Sequence, residues 1–206
     1  MFQTPQWDMH AFIAINQKWR DPVLDVLMPL CSEQAILWIV LVVLVSAALY
    51  KKHPRLLLNL GVLLCVVGAA DGSTNLVKHA IDRVRPYHTH AQVWHISQGQ
   101  WSVRPDTYVQ TRTGGRSYPS AHAANSMALA MGVMILWRQS RPWMLLLPLL
   151  AGYSRIYMGK HYPVDVVAGW FWGAAVGGML ALFYREMLKN RLEHWLLTRL
   201  PRSFRR

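Results

Sequence analysis

Three short stretches hold residue types able to do chemistry together. KHAIDRVRP (78–86) carries Lys78 and Arg85, YPSAHAANS (118–126) carries Ser120 and His122, and SRIYMGKHYPVD (154–165) carries Arg155, His161 and Asp165. Breaking a phosphoester requires positive charge and N–H donors around the equatorial oxygens, a nucleophile in line with the leaving group, and a proton for that group. Lys78, Arg85 and Arg155 supply the charge, and arginine adds a planar fork suited to phosphate oxygens. Ser120 adds a hydroxyl donor. Pro119 pre-sets a helical first turn whose N–H groups would face an anion. One histidine cannot be both attacking group and proton donor in the same step. His161 stands four residues before Asp165, within reach for that carboxylate to accept its ring N–H, fix the tautomer and stabilise the imidazolium. His161 is therefore read as the nucleophile, passing through a phosphohistidine. His122 is read as the group that protonates the leaving oxygen and then activates water.

Other polar residues surround this set. Asp71, Asn75, Lys78, Asp82 and Arg85 recur at intervals of 4, 3, 4 and 3, drawing one polar stripe down a helix that Pro86 should end. Asp71, Asn75 and Asp82 are read as support, with Asp82 placed to pair with Lys78. Arg112 and Arg116 either bind a second phosphate or polar headgroup, or hold a lid against anionic lipid. Lys160 is read as a surface charge, with a contribution to the field at the pocket as the alternative. His88, His90 and His95 have no nearby carboxylate pair or cysteine to complete a metal site, so they are expected to face solvent or headgroups. Neither a metal nor another cofactor is expected, because cationic side chains occupy the place a metal has elsewhere.

The elements that must position these groups are apolar helices. Of the 206 residues, 53% are hydrophobic, and they gather into runs at 33–50, 56–70, 120–137, 143–158 and 164–184. Crossing the hydrocarbon takes ~20 predominantly apolar residues as helix. The expected fold is all-α: a polytopic bundle of five spans, or six if residues 7–31 enter the bilayer, with an N-terminal interfacial helix. The basic clusters KKHPR (51–55), RQSR (138–141) and the tail from Lys189 to Arg206 alternate with the other connections. The positive-inside rule places them in the cytoplasm, so all three chemical stretches share the outer side. A net charge of +12 would suit nucleic acid, but its cations fall between the spans, and no nucleic-acid partner is expected.

The chain therefore divides into an N-terminal interfacial segment (1–32), a core (33–188) with an outer loop at 86–119, and a basic cytoplasmic tail (189–206). WDMHAFIAINQKW (7–19) sets Met9, Phe12 and Ile13 on one helical face, as an interfacial helix would. Asp21 and Pro22 signal the start of a second short helix. The outer loop is long enough to be a lid or a small ordered unit, with Trp94 and Trp101 at headgroup level and Gly114–Gly115 as a hinge. Cys31 and Cys65 are read as buried small hydrophobes, and no cleaved leader is expected.

In order, the three stretches resemble the signature of the type-2 phosphatidic acid phosphatase superfamily: K-x6-R-P, P-S-G-H and S-R-x5-H-x3-D. The likeness extends over residues 71–170, with Ala121 in place of the glycine. That superfamily includes integral membrane lipid phosphatases and soluble vanadium haloperoxidases, and the apolar spans favour the membrane branch. The resemblance implies the same roles for the two histidines. It also implies a membrane lipid as substrate, with undecaprenyl pyrophosphate first and the phosphate of lipid A, phosphatidylglycerol phosphate and phosphatidic acid after it. The implied place is the bacterial inner membrane, with the site on the periplasmic or extracellular side and the C-terminus cytoplasmic. Two other uses of the cluster stay open: transfer of the phosphoryl group to a lipid or sugar hydroxyl, and non-enzymatic transport of an anion or lipid, which would not need His161 paired with Asp165.

Overall fold

A computed structural model describes residues 4–110, 112–137 and 141–199. Most of the RQSR cluster and the end of the basic tail lie outside the described residues. Helix α1 (Gln6–Ile13) continues into a π-helical turn (Ala14–Lys18). Helix α2 (Pro22–Cys31) begins where Asp21–Pro22 signals, and the Asp21 carboxylate accepts the Val23 N–H at 2.8 Å. Then come α3 (Gln34–Tyr50), α4 (Pro54–Ile81), a 3-10 turn (Pro86–His88), strands β1 (Trp94–Ser97) and β2 (Gln100–Val103), α5 (Ala121–Leu136), α6 (Arg141–Met144), α7 (Leu146–Tyr157) and α8 (Pro163–Phe183). A second π turn (Tyr184–Leu188) leads into α9 (Lys189–Arg199).

The strands depart from the all-α expectation. They pair antiparallel, Trp94 opposite Val103 and Ser97 opposite Gln100. The connecting pair Gln98 and Gly99 has φ of 51° and 79°, the left-handed backbone that two-residue hairpins favour.

Helices form at all five apolar runs, although the fourth is broken at Leu145, where α6 gives way to α7. By length and composition, Pro54–His88 and Pro163–Arg199 are able to cross a membrane, and Pro22–Cys31 with Ala35–Tyr50 pass together as a pair bent by 51°. Helices α5 and α7, of 16 and 12 residues, are shorter than the ~20 a full crossing takes. Helix α3 exposes Trp38, Ile39, Val42 and Val43, the surface expected of a helix that meets lipid. Cys65 is exposed and Cys31 half-exposed, so neither is the buried hydrophobe expected.

The closest packing is between α5 and α8. Gly169, Gly173 and Gly177 recur every fourth residue on α8 and face Ser120, Ala124 and Ala128. A Cβ on Gly173 would stand 2.1 Å from the Ala124 carbonyl oxygen, so only a bare backbone fits, as in small-residue helix contacts generally. This contact sets the N-terminus of α5 beside that of α8.

The N-terminal segment packs on protein. Phe12 is fully buried with Val93, Ala123, Ile156, Tyr162 and Val166, and Met9 and Ile13 pack on the same cluster, so the apolar face read from the sequence rests on the core. Asn16, also fully buried, donates to the carbonyls of Trp94 (2.9 Å) and Tyr157 (2.8 Å) and accepts the Trp94 N–H (3.0 Å). It ties the hairpin to α7. Trp94 and Trp101, expected at headgroup level, stack on the Arg20 guanidinium together with Tyr157.

Candidate active site

Helix α4 stops at Ile81, short of the Pro86 boundary, because Asp82 turns left-handed (φ 44°). Its carboxylate then accepts the N–H groups of Gly115 and Arg116, each at 3.1 Å, and not the Lys78 ammonium it was expected to pair with. The polar stripe therefore ends at Lys78, on the last turn of α4, while Arg85 lies on the extended segment beyond and donates Nε–H to the Gly115 carbonyl at 3.1 Å. A Cβ at Gly115 would come to 3.0 Å from the Arg85 nitrogen, so glycine serves close approach there. Lower on α4, Asp71 accepts from Asn75 (3.1 Å) and from Asn125 of α5 (2.8 Å). Asn125, one turn beyond His122, joins the two helices below the site and was not singled out in the sequence.

Ser120 is the N-cap of α5, fully buried, its Oγ accepting the Ala123 N–H at 3.5 Å and its N–H donating to the Asp165 carbonyl at 2.8 Å. Pro119 precedes the cap. Ala121 is the first helical residue, a position that accepts a Cβ without strain, so the departure from glycine leaves the turn intact.

The α7–α8 connection carries the third stretch. Arg155, 6% exposed on the last turn of α7, donates from Nη1 to Ser32 Oγ at 3.3 Å, and its buried Nε has no hydrogen-bond partner. His161, 1% exposed, sets Nδ1 3.7 Å from Asp165 Oδ2. Ser117 lies between them: its hydroxyl donates to Asp165 Oδ2 at 2.6 Å and stands 3.4 Å from His161 Nδ1. Asp165 Oδ2 also accepts the Tyr162 N–H (2.9 Å), while Oδ1 takes Arg83 Nη1 (2.5 Å). Sequence reasoning passed over Ser117 and Arg83. Ser117 looked like lid, and Arg83 falls off the Lys78–Asp82 stripe, among basic residues that resemble membrane anchors.

His122 lies within electrostatic reach of Arg155, His161, Lys160 and Lys78, and Lys78 within reach of Arg85 and Arg155. Burial, then Arg155 and Arg85, push the Lys160 ammonium down to about 8, so Lys160 belongs to this field, the alternative reading of the sequence. Burial also holds His161 down to about 3, although Asp165 pulls the other way. The imidazole is then neutral at pH 7, and with Nδ1 turned to Asp165 and Ser117, Nε2 is the nitrogen left to bond. Among the described residues no carboxylate lies at ion-pair distance from Lys78, Arg85 or Arg155.

Residues 56–189 match the PAP2 superfamily. The chain belongs to that superfamily. Among PAP2 relatives, the lipid A 4'-phosphatase of Bacteroides thetaiotaomicron is 41% identical over 86 residues, 40% of this chain and 37% of that one, so the chain spans well under half the length of that relative. The decaprenylphosphoryl-5-phosphoribose phosphatase of Mycobacterium tuberculosis is 31% identical over 153 residues, 72% of each chain. The crystal structure of Aquifex aeolicus LpxE superposes with a TM-score of 0.62 at 23% identity, covering 85% of this chain and 94% of that one, which establishes a shared fold.

Outside the PAP2 cluster, the remaining sequence candidates fall at the rim. Arg112 and Arg116 are exposed, Arg116 using its main-chain N–H on Asp82. His90 Nε2 bonds the Tyr162 hydroxyl at 2.8 Å, and His95 is buried against Tyr87, so these two do not face solvent or headgroups as expected.

Proposed function

We propose that this protein is a membrane lipid phosphatase that hydrolyses a phosphomonoester or diphosphate through a phosphohistidine at His161. The observation that carries the reading is the excess of positive charge: Lys78, Arg85 and Arg155 act on one another with no carboxylate at ion-pair distance among the described residues, Asp71 and Asp165 reaching Lys78 only from farther off, and the buried Arg155 Nε has no hydrogen-bond partner. Buried cations left in this state are a site for an anion.

The phosphate oxygens are held by Lys78, Arg85 and Arg155, with Ser120 and the first N–H groups of α5 beside them. His161 Nε2 attacks phosphorus and the bond to the lipid-side oxygen breaks. His122 gives that oxygen its proton, then takes one from the water that splits the N–P bond, and inorganic phosphate leaves. Asp165 stabilises the charge that His161 carries meanwhile. Asp71, Asn75 and Asp82 hold the elements in place, and Arg112 and Arg116 meet the headgroup at the rim. None of these steps uses a metal.

The substrate is a polyprenyl diphosphate in the first place, undecaprenyl pyrophosphate, ahead of lipid A, phosphatidylglycerol phosphate and phosphatidic acid. A relative that matches along 72% of both chains is named for a decaprenylphosphoryl substrate, which supports a long prenyl chain. The protein sits in a bacterial inner membrane with five spans, the site on the outer side and the C-terminus in the cytoplasm. The test is inorganic phosphate release by the purified protein in detergent, with chelator present, from each of the four lipids. Release in chelator with a preference of about tenfold or more for the prenyl diphosphate is expected, a difference of ~1.4 kcal/mol in transition-state binding. No release from any lipid overturns the reading, loss of release on chelation removes the metal-free chemistry, and a phosphorylated acceptor in place of free phosphate converts it to phosphotransfer.

A further inference from the structure

Asp8 lies outside the three stretches, on a helix read from the sequence as interfacial, yet it is fully buried. Its Oδ2 accepts from Arg83 Nη2 at 2.8 Å, and its Oδ1 accepts the Val164 N–H at 2.9 Å in the first turn of α8. Arg83, 4% exposed, bridges Asp8 to Asp165 Oδ1, with a further bond from Nη2 to Thr4 Oγ1 at 2.9 Å. Charges this deep interact through a low dielectric, so their sum matters to any neighbour. Arg83 and Asp165 alone form a neutral pair, which offers little to a cationic imidazole. Asp8 makes the three-member group net negative, and the nearest group on which that charge acts is His161, beside Asp165 Oδ2.

We infer that Asp8 is a positioning residue for the reaction: it balances Arg83 so that the charge of Asp165 remains available to His161. This rests on His161 being the nucleophile. The groups facing His161 are Asp165 from α8, Arg155 from α7, Arg85 from the segment after α4 and His122 from α5, with Lys78 and Lys160 behind them. Every member of that set except Asp165 is cationic or becomes so on protonation, so the imidazolium formed during turnover depends on the one acidic neighbour. Arg83 takes part of that neighbour's charge, and Asp8 returns it. The N-terminal helix is therefore part of the site's electrostatics, although it brings no group to the substrate.

The test uses the full-length protein. Asp8→Asn keeps shape and removes the charge, and kcat is expected to fall about 10- to 100-fold, the scale seen when a partner behind a metal-ligating side chain is lost, with KM within about twofold. Asp8→Glu, which keeps the charge, is expected to recover most of the loss. Asp8→Asn combined with Arg83→Gln returns the group to one net negative charge and is expected to exceed Asp8→Asn alone in kcat. A merely structural role predicts the reverse, since the double variant removes a second buried partner. Asp8→Asn at wild-type kcat, or a double variant no better than the single, overturns the inference. Should Asp8→Asn fail to fold by circular dichroism, the double variant decides alone: kcat within about tenfold of wild type supports charge balance, and a larger loss overturns it. If wild type releases phosphate and His161→Ala does not, these outcomes bear on Asp8 only; if wild type releases none, the phosphatase reading itself has failed.

Discussion

His161→Ala is expected to lower kcat for lipid phosphate release on the order of 10⁶-fold, the scale seen when a nucleophile that works as a unit with its partners is removed. The reason lies in geometry. Nδ1 faces Asp165 and Ser117, and burial keeps the ring neutral. KM is expected to change little, because the proposed reading assigns the oxygens of the substrate to Lys78, Arg85 and Arg155. His161→Asn keeps a polar side chain of similar size in the buried position and is expected to lose the same activity while melting close to wild type. Steady-state phosphate release, read beside circular dichroism, separates lost chemistry from lost fold. Residual kcat within tenfold of wild type would mean that another group attacks.

Gly173→Val is expected to produce the largest loss of stability. Its Cβ would stand 2.1 Å from the Ala124 carbonyl oxygen and 2.9 Å from the Ala124 Cα, and backbone cannot swing away as a side-chain tip can. Overpacking of this kind costs about 3 kcal/mol, the upper end of the usual range, which lowers the apparent melting temperature by roughly 10 °C in a chain of this size. Activity is expected to fall further than folding does, because α5 carries Ser120 and His122 and a displacement near 1 Å costs about 10²-fold. Gly61→Ala is the matched control, since nothing lies within 4 Å of the added methyl, and alanine is the better helix former by ~1 kcal/mol. A Gly173→Val protein that melts with wild type would contradict the close helix contact.

The parts of the site legible in the sequence are those encoded at short spacing. His161 and Asp165 are separated by one turn, Ser120 stands directly before the helix it caps, and Asp21–Pro22 marks the start of α2. Apolar runs located the helices for the same reason, since hydropathy is a local property. What stayed hidden is assembled across the chain. Asp8 meets Arg83 over 75 residues and Arg83 meets Asp165 over 82, and neither pairing leaves a periodic trace. Ser117 is one hydroxyl in a loop. The end of α4 was misjudged because Pro86 is the visible breaker, whereas the backbone turns at Asp82, whose carboxylate finds two N–H donors more than thirty residues away. The tryptophans of the outer loop read as membrane anchors because amphipathic rings favour interfaces, but a guanidinium from the N-terminal segment claims them instead.

The most direct measurement is to quench the protein during turnover of a lipid diphosphate, digest it under alkaline conditions that preserve phosphoramidate, and locate the phosphate by mass spectrometry. The account predicts a phosphohistidine at His161, bonded through Nε2 and absent from His161→Ala. Phosphate on His122 or another side chain, or turnover with no phosphorylated protein at any quench time, would contradict it.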